Sequence, residues 1–518
     1  MTAKRRRRAI AARGIALAVL ALVVPLSACA PERDAAWSPA SWAETGWVVA
    51  DDPEPQPAPD AVALVPQRIR NDATGIDARW SYVPGTQAVN DAVEGVVRAA
   101  IDAQVAVSGV GYIPQVHDRS AGLDRRGCEP GSTSAPAPDL LGAGPQTHTV
   151  VVCEIVHAAG TVLVQRLRTV RGSAAGIDAD EVTTIFTDLS TGQVGTGAAL
   201  VADADAVWEP LVETLRRTAG ALSLAPIVPP TPDQLAALTA ALGDAYLGAD
   251  EVILTLPTGF TTPELAGLGA WRTPDAQHPV RVALPMSAVE PLLTELGHAI
   301  RSSSGAFAGP VSAGAAFDRT PCDLVPCMAL TLDDGPGALT PGILDVLRER
   351  DSAATFYMLG QNAQRNPNTV RRVAAEGHQI GNHSWNHPYL VDLTDAQIRA
   401  QLEDTGDVLR ALSGQSVATF RPPGGRIDDR VLAVAGMPAV MWGVDTRDWT
   451  GPEDGALAAL AIDSPRIGTI MLMHDIQAVT GRVFAEVVDG LRARGFSLVT
   501  IDALFGGAVP AGIVRHGP

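Results

Sequence analysis

CMALTLDDGPGALT, residues 327–340, is the stretch on which the reading of this chain turns. Apolar residues run into two adjacent aspartates, Asp333 and Asp334, and then into Gly-Pro, where a strand would have to end. Each carboxylate disfavours ionisation of the other. A pair kept in spite of that penalty points to a cation or to a shared catalytic task.

Downstream of this stretch the pattern is one of regular alternation. Strand candidates are MALTLD (328–333), ATFYML (354–359), QIGNH (379–383), ATF (418–420), AVMWGV (439–444), TIMLMH (469–474) and FSLVTI (496–501). Helix candidates such as TPGILDVLRER, NPNTVRRVAAEG and TDAQIRAQLEDTGDVLRALSG fill the gaps, and the last opens with Thr394 and Gln397, which fit a capping box. Strands alternating with helices predict a parallel α/β barrel-like domain over 321–518. The chemistry-bearing residues fall at or just past strand ends: Asp333 and Asp334, His383 and His387, Arg421, Asp445 and Asp448, and His474. In barrels of this kind that edge is where active sites are built.

Two histidines four apart often bind zinc from a helix. In HSWNH, however, Ser384 replaces the glutamate of HExxH, and Pro388 directly follows His387, which suits a strand-end loop better. With Asp334 supplying an oxygen, His383 and His387 complete a set of two nitrogens and one carboxylate that leaves positions open for water and substrate.

TLDDGP, HSWNH, FRPPGG, DTRDW and MLMH, in this order, resemble the five motifs of the polysaccharide deacetylase family, carbohydrate esterase family 4, with the NodB homology domain. The resemblance covers residues 322 to about 505. It implies a deformed (β/α) barrel of the NodB type at the C-terminus and a divalent metal held by Asp334, His383 and His387. It further implies Asp333 as general base, His474 as general acid protonating the departing amine, Arg421 orienting the catalytic aspartate and Asp448 tuning the catalytic histidine. Pro423, Gly424, Trp449 and Leu472 match substrate-binding positions, the last two walling the acetyl pocket. The chain departs from the family at Gly424, where Tyr often stands; a backbone oxyanion donor there is compatible with glycine, but the wall that the ring would supply is in doubt. Zinc suits the two histidines, and cobalt or manganese fits the same set.

The 518-residue chain is too long for one core. Its formal charge is −18, and residues 1–28 hold six positive charges and no acid, so the remainder carries −24. A body this acidic is unsuited to wrapping nucleic acid. Residues 1–28 combine a basic start with an apolar run from Ile15 to about Val24, shorter than the roughly 20 residues a spanning helix needs, which predicts a signal peptide. Leu26, Ser27, Ala28 and Cys29 resemble the lipobox of bacterial lipoproteins, which implies lipidation at Cys29 and anchorage on the outer face of the cell membrane; an ordinary secretory signal with an incidental cysteine is the alternative. Pro-rich residues 29–63 read as a tether, 64–301 as a smaller α+β accessory domain, and small-residue 302–320 as a linker. Setting Cys29 aside, four cysteines in an exported chain read as disulfides, with proximity favouring Cys322–Cys327 and Cys128–Cys153 among three pairings.

The accessory domain resembles, through AVNDAVEGVVRAAIDAQ, EVILTLPTGF and HPVRVALPMSAVEPLL, the extracytoplasmic domain of anti-sigma factors of the lysozyme-binding type. A protein or glycan partner and a plain spacer are both open for it. His117, His148, His157 and His278 show no ligand spacing. The expectation for the whole is a membrane-tethered, metal-dependent N-deacetylase of cell-envelope polysaccharide, with peptidoglycan favoured by the tether. The alternatives are an O-acetyl esterase on acetylated polysaccharide and an inactive family member that only binds glycan.

Overall fold

The computed structural model describes residues 64–218, 226–257, 260, 262, 280–309 and 320–518. Residues 1–63, with the expected signal peptide, Cys29 and the tether, lie outside the described residues, as does His278.

Six strands form the first sheet: β1 (Val65–Asn71), β2 (Ile76–Tyr82), β3 (His148–Ala159), β4 (Val162–Ser173), β5 (Gly176–Asp188) and β6 (Gln193–Thr196), in that spatial order. All neighbours are antiparallel except β2 and β3. A parallel pair needs a crossover, and helix Gln87–Ser108 lies in that connection. Its buried Val89, Val93, Val97, Ala100, Ile101 and Gln104 recur at three- to four-residue spacing, one stripe facing inward. A separate three-stranded sheet, β7 (Tyr246–Leu247), β8 (Glu251–Leu256) and β9 (Val280–Pro285), shares its own core with helices Trp208–Thr218 and Pro232–Gly243. Residues 302–309 stay close to the first sheet, where Phe307 bridges Gly160.

The C-terminal part is the α/β barrel. Its strands are β10 (Cys327–Asp333), β11 (Thr355–Met358), β12 (Gln379–Asn382), β13 (Ala439–Val440), β14 (Val444–Asp445), β15 (Ile470–His474), β16 (Ser497–Val499) and β17 (Ile513–Val514). Parallel pairing runs β12-β11-β10-β15-β14, with β16 also on β10. Every residue of β10 is buried, as its largely apolar run, interrupted only at Thr331 before Asp333, suggests for a strand covered on both faces. Met328, Leu330 and Leu332 pack under the helices, while Cys327 and Ala329 belong to another buried cluster. Period-two alternation therefore aims Thr331 and Asp333 inward with Cys327 and Ala329.

Two strands differ from expectation. ATF shrinks to a bridge at Phe420, which links Asn382 to Ala439. AVMWGV splits into β13 and β14, because the carbonyls of Val440 and Met441 are taken by the Arg421 guanidinium and Met441 N–H goes to the tail at Val514. That tail, β17 with His516 bridging Thr469, spans the gap between β13 and β15. Thr394 does form the capping box with Gln397.

One continuous buried cluster joins the barrel residues Cys327, Ala329, Tyr357, Val440 and Ile470 to Val65, Trp80 and Val93 of the first sheet and its helix. Since Cys327, Ile470 and Ser497 begin their strands, the first sheet sits against the N-terminal ends, opposite the edge that carries the chemistry. Ser497 Oγ donates to Gln67 Oε1 there, and Arg126 Nη2 donates to the carbonyls of Arg492 and Phe496. Both expected disulfides are present, Cys128–Cys153 and Cys322–Cys327.

Candidate active site

Asp333 ends β10 and points inward, whereas Asp334 follows it with φ +72°, a left-handed turn that redirects the second carboxylate. The fold thus separates the two aspartates by backbone conformation, and each meets a different set of partners.

Asp334 Oδ1 faces His383 Nε2 at 3.4 Å and His387 Nε2 at 3.5 Å. These three ligand atoms lie within 4.8 Å of one another, and no other such group of His, Cys, Asp or Glu occurs among the described residues. His383 Nδ1 lies 2.7 Å from the Arg421 carbonyl, which can only accept, so Nδ1 carries the proton and Nε2 presents its lone pair. The contact with Asp334 is then two electron-pair donors facing each other. Consistent with this, Asp334 Oδ1 is buried without a hydrogen-bond partner. Such an arrangement is costly unless a cation sits between the donors, so the residues fit a divalent metal. Ser384 and His387 also take positive φ, confirming HSWNH as a loop. The Asp334 carbonyl is fixed by Asn362 Nδ2 at 2.8 Å.

The electrostatics agree. Burial works to raise the Asp334 carboxyl, but hydrogen bonding from His383 and the positive charge of His383, His387 and His474 when protonated outweigh it and hold the group below its ordinary range, a role that a cation takes over where the imidazoles are neutral ligands. Burial and the neighbouring His383 lower His387, which keeps it neutral and able to ligate.

Asp333 is held by Arg421. The guanidinium, wholly buried, donates from Nη1 to Asp333 Oδ1 at 2.8 Å and to Thr331 Oγ1 at 2.7 Å. Nε and Nη2 reach the carbonyls of Val440 and Met441, and the group lies 4.4 Å from the Tyr357 ring centroid. Asp333 Oδ2 remains on the metal side, 3.7 Å from His383 Nε2.

Across the site, His474 Nδ1 binds Asp448 Oδ1 at 2.7 Å. Asp448 is itself saturated, since it accepts from the backbone N–H of His474 and Trp449 and from Thr480 Oγ1. Burial acts to lower the His474 pKa, but the hydrogen bond it donates to Asp448 and the charges of Asp333, Asp448 and Asp334 push it up to about 9. The imidazole is therefore charged at neutral pH. Leu472, buried, precedes it by two positions on the same face of β15, and Trp449 stands 59% exposed at the rim.

Pro423 is buried, and Gly424 and Gly425 both have positive φ. A Cβ on Gly424 would meet Tyr389 Cε1 at 2.7 Å, and one on Gly425 would meet the Trp442 ring at 2.8 Å. The two glycines let the turn pass between those rings.

The structure thus brings together Asp333, Asp334, His383, His387, Arg421, Asp448 and His474. It does not bring in Asp445, whose carboxylate accepts the Arg447 backbone N–H. His117 and His157 bind elsewhere, to the Arg70 carbonyl and Ser303. Asn362 and Thr480 were missed, as lone polar residues without a motif, and Thr331 was missed although it opens TLDDGP. Asp475 was missed too, although it adjoins His474: its carboxyl is pushed up to about 7 by burial, accepts from Thr340 Oγ1 and packs against Gly335.

The polysaccharide deacetylase family pattern matches residues 322–438. The peptidoglycan-N-acetylglucosamine deacetylase PgdA of Listeria monocytogenes is 37% identical over 180 residues, 35% of this chain and 39% of that protein. The peptidoglycan-N-acetylmuramic acid deacetylase PdaC of Bacillus subtilis is 35% identical over 34% of this chain and 38% of that protein. A peptidoglycan-N-acetylglucosamine deacetylase of Bacillus cereus is 36% identical over 34% of this chain and 68% of that protein. The chain spans about two fifths of the length of the first two.

Proposed function

Because the chain belongs to the polysaccharide deacetylase family, we propose that it is a metal-dependent hydrolase that removes N-acetyl groups from a cell-envelope polysaccharide, with peptidoglycan as the substrate. The observation that carries this reading is the buried, unpartnered Asp334 Oδ1 facing two imidazole nitrogens, between a carboxylate fixed by Arg421 and an imidazole charged by Asp448. The relatives' names, which include both peptidoglycan amino sugars, support the choice of polymer.

Asp334, His383 and His387 would hold the metal, zinc by preference for two imidazoles, with cobalt or manganese suited to the same donors. When bound, the cation polarises the acetyl carbonyl and acidifies water. Asp333 acts as general base: Arg421 occupies Oδ1, which leaves Oδ2 to take the proton of the attacking water. His474 acts as general acid. Asp448 holds Nδ1, which leaves Nε2 to give its proton to the departing amine nitrogen as the C–N bond breaks. Leu472 and Trp449 wall the acetyl group, and the turn at Pro423 and Gly424 offers the Gly424 backbone N–H to the oxyanion. The lipobox-like residues ending in Cys29 support a lipid tether that keeps the enzyme beside the wall on the outer face of the membrane.

Mass analysis of muropeptides from a deletion strain and its parent tests the substrate. The deletion is expected to raise the acetylated fraction of the amino sugars; an unchanged pattern would sink the peptidoglycan claim.

A further inference from the structure

We propose that Arg426, seated on the ring of Tyr389, forms a carboxylate-binding subsite at the rim of the cleft, which selects glycans bearing acidic side groups over neutral ones. This rests on the deacetylase reading for the location of the cleft.

Gly424 shapes this side of the site. Its place is often held by Tyr in the family, but here φ is +62° and no Cβ fits without displacing Tyr389. The ring beside position 424 therefore comes from Tyr389, two residues beyond His387. Tyr389 is 42% exposed, and the Arg426 guanidinium lies over its face, 4.2 Å from the centroid. This side of the cleft consequently presents a cation.

That cation is uncommitted. Arg426 is exposed and has no carboxylate partner among the described residues. Arg430, four residues on, is by contrast paired with Asp395. The closest acid in sequence, Asp428, accepts the Val431 N–H as a helix cap. A guanidinium stacked on a ring keeps its in-plane N–H groups free and loses less freedom on binding, which suits bidentate contact with a carboxylate. In peptidoglycan such groups come from the lactyl ether of muramic acid or from the peptide stem.

The test is calorimetric titration of the full chain in detergent with three ligands. These are a neutral N-acetylglucosamine tetrasaccharide, an alternating glucosamine–muramic acid tetrasaccharide with free lactyl carboxylates, and the same with peptide stems. At least one acidic ligand should bind the wild type about tenfold more tightly than the neutral one, with the margin shrinking as salt rises. Preference for the second or the third identifies the carboxylate. Arg426→Gln should erase the margin, and Arg426→Lys should retain part of it. Equal affinities in the wild type, or a margin that survives in Arg426→Gln, would overturn the proposal. If the metal-loaded wild type turns over none of the three yet shows the margin, the deacetylase reading fails while the subsite stands.

Discussion

Replacing Arg421 with Met should cost more stability than almost any other single change in the barrel. The guanidinium and the Asp333 carboxylate are 0% and 4% exposed, so the pair has no solvent to fall back on. Removing one partner of a buried pair leaves an uncompensated charge, at about 3–5 kcal/mol. The carbonyls of Val440 and Met441 also lose their donors, at about 1 kcal/mol or more each if they stay dry. Set against a typical total of about 5–15 kcal/mol, that places Arg421→Met close to unfolding. The charge part is separable. Asp333→Asn in the same chain removes the stranded carboxylate, so the double variant should recover about 2–3 kcal/mol relative to the sum of the singles. Urea unfolding at pH 7, followed by near-UV circular dichroism for the wild type, both singles and the double, gives this coupling directly. A coupling below about 0.5 kcal/mol, within the additivity expected of independent sites, would refute the claim that Arg421 exists to hold the Asp333 charge.

Other consequences are simpler to read. Asp334→Asn should lower metal stoichiometry, while Asp333→Asn should keep the metal and lose roughly 10²–10⁴ in turnover; equal metal loss would make both aspartates ligands. Asp448→Asn should move the basic limb of the kcat/KM profile to lower pH, because His474 must stay protonated to act as acid and its hydrogen bond to Asp448 is the largest influence that raises it. The same sign governs stability: the His474–Asp448 contribution is present in full below the unfolded histidine pKa and is lost as pH rises through about 9, so an unmoved limb and unmoved alkaline melting would refute the pairing. His378 is the opposite case. Burial and Arg372 lower it to about 3 and both ring nitrogens lack partners, so stability should fall as pH drops from the ordinary histidine range toward 3; His378→Leu should flatten that fall in acid melting curves.

The site was legible in the sequence because its residues are tied to strand ends. The largely apolar run of β10 into two aspartates showed where the strand stops, and Gly-Pro after Asp334 marked the turn. The capping box at Thr394 was equally local. What was not legible depends on distant partners. The break between β13 and β14 follows from Arg421 claiming two carbonyls nineteen and twenty residues away. The two-residue β17 lies in a Gly/Pro-rich tail with no strand signal of its own, and forms because it fills the gap beside β13. Likewise the loss of a ring at Gly424 was visible, but its replacement by Tyr389 from the histidine loop was not, since nothing in HPYL records what it will touch.

The central claim is that the Asp334–His383–His387 cluster holds a metal that the chain uses to cleave an amide. Its most direct test is the release of free amines from an acetylated glucosamine oligosaccharide or purified peptidoglycan by the purified chain, before and after chelation and after restoring zinc. The account predicts amine and acetate in equal amounts, loss of both on chelation and recovery with the metal. Acetate without amine, or release of amine that chelation leaves untouched, would contradict it.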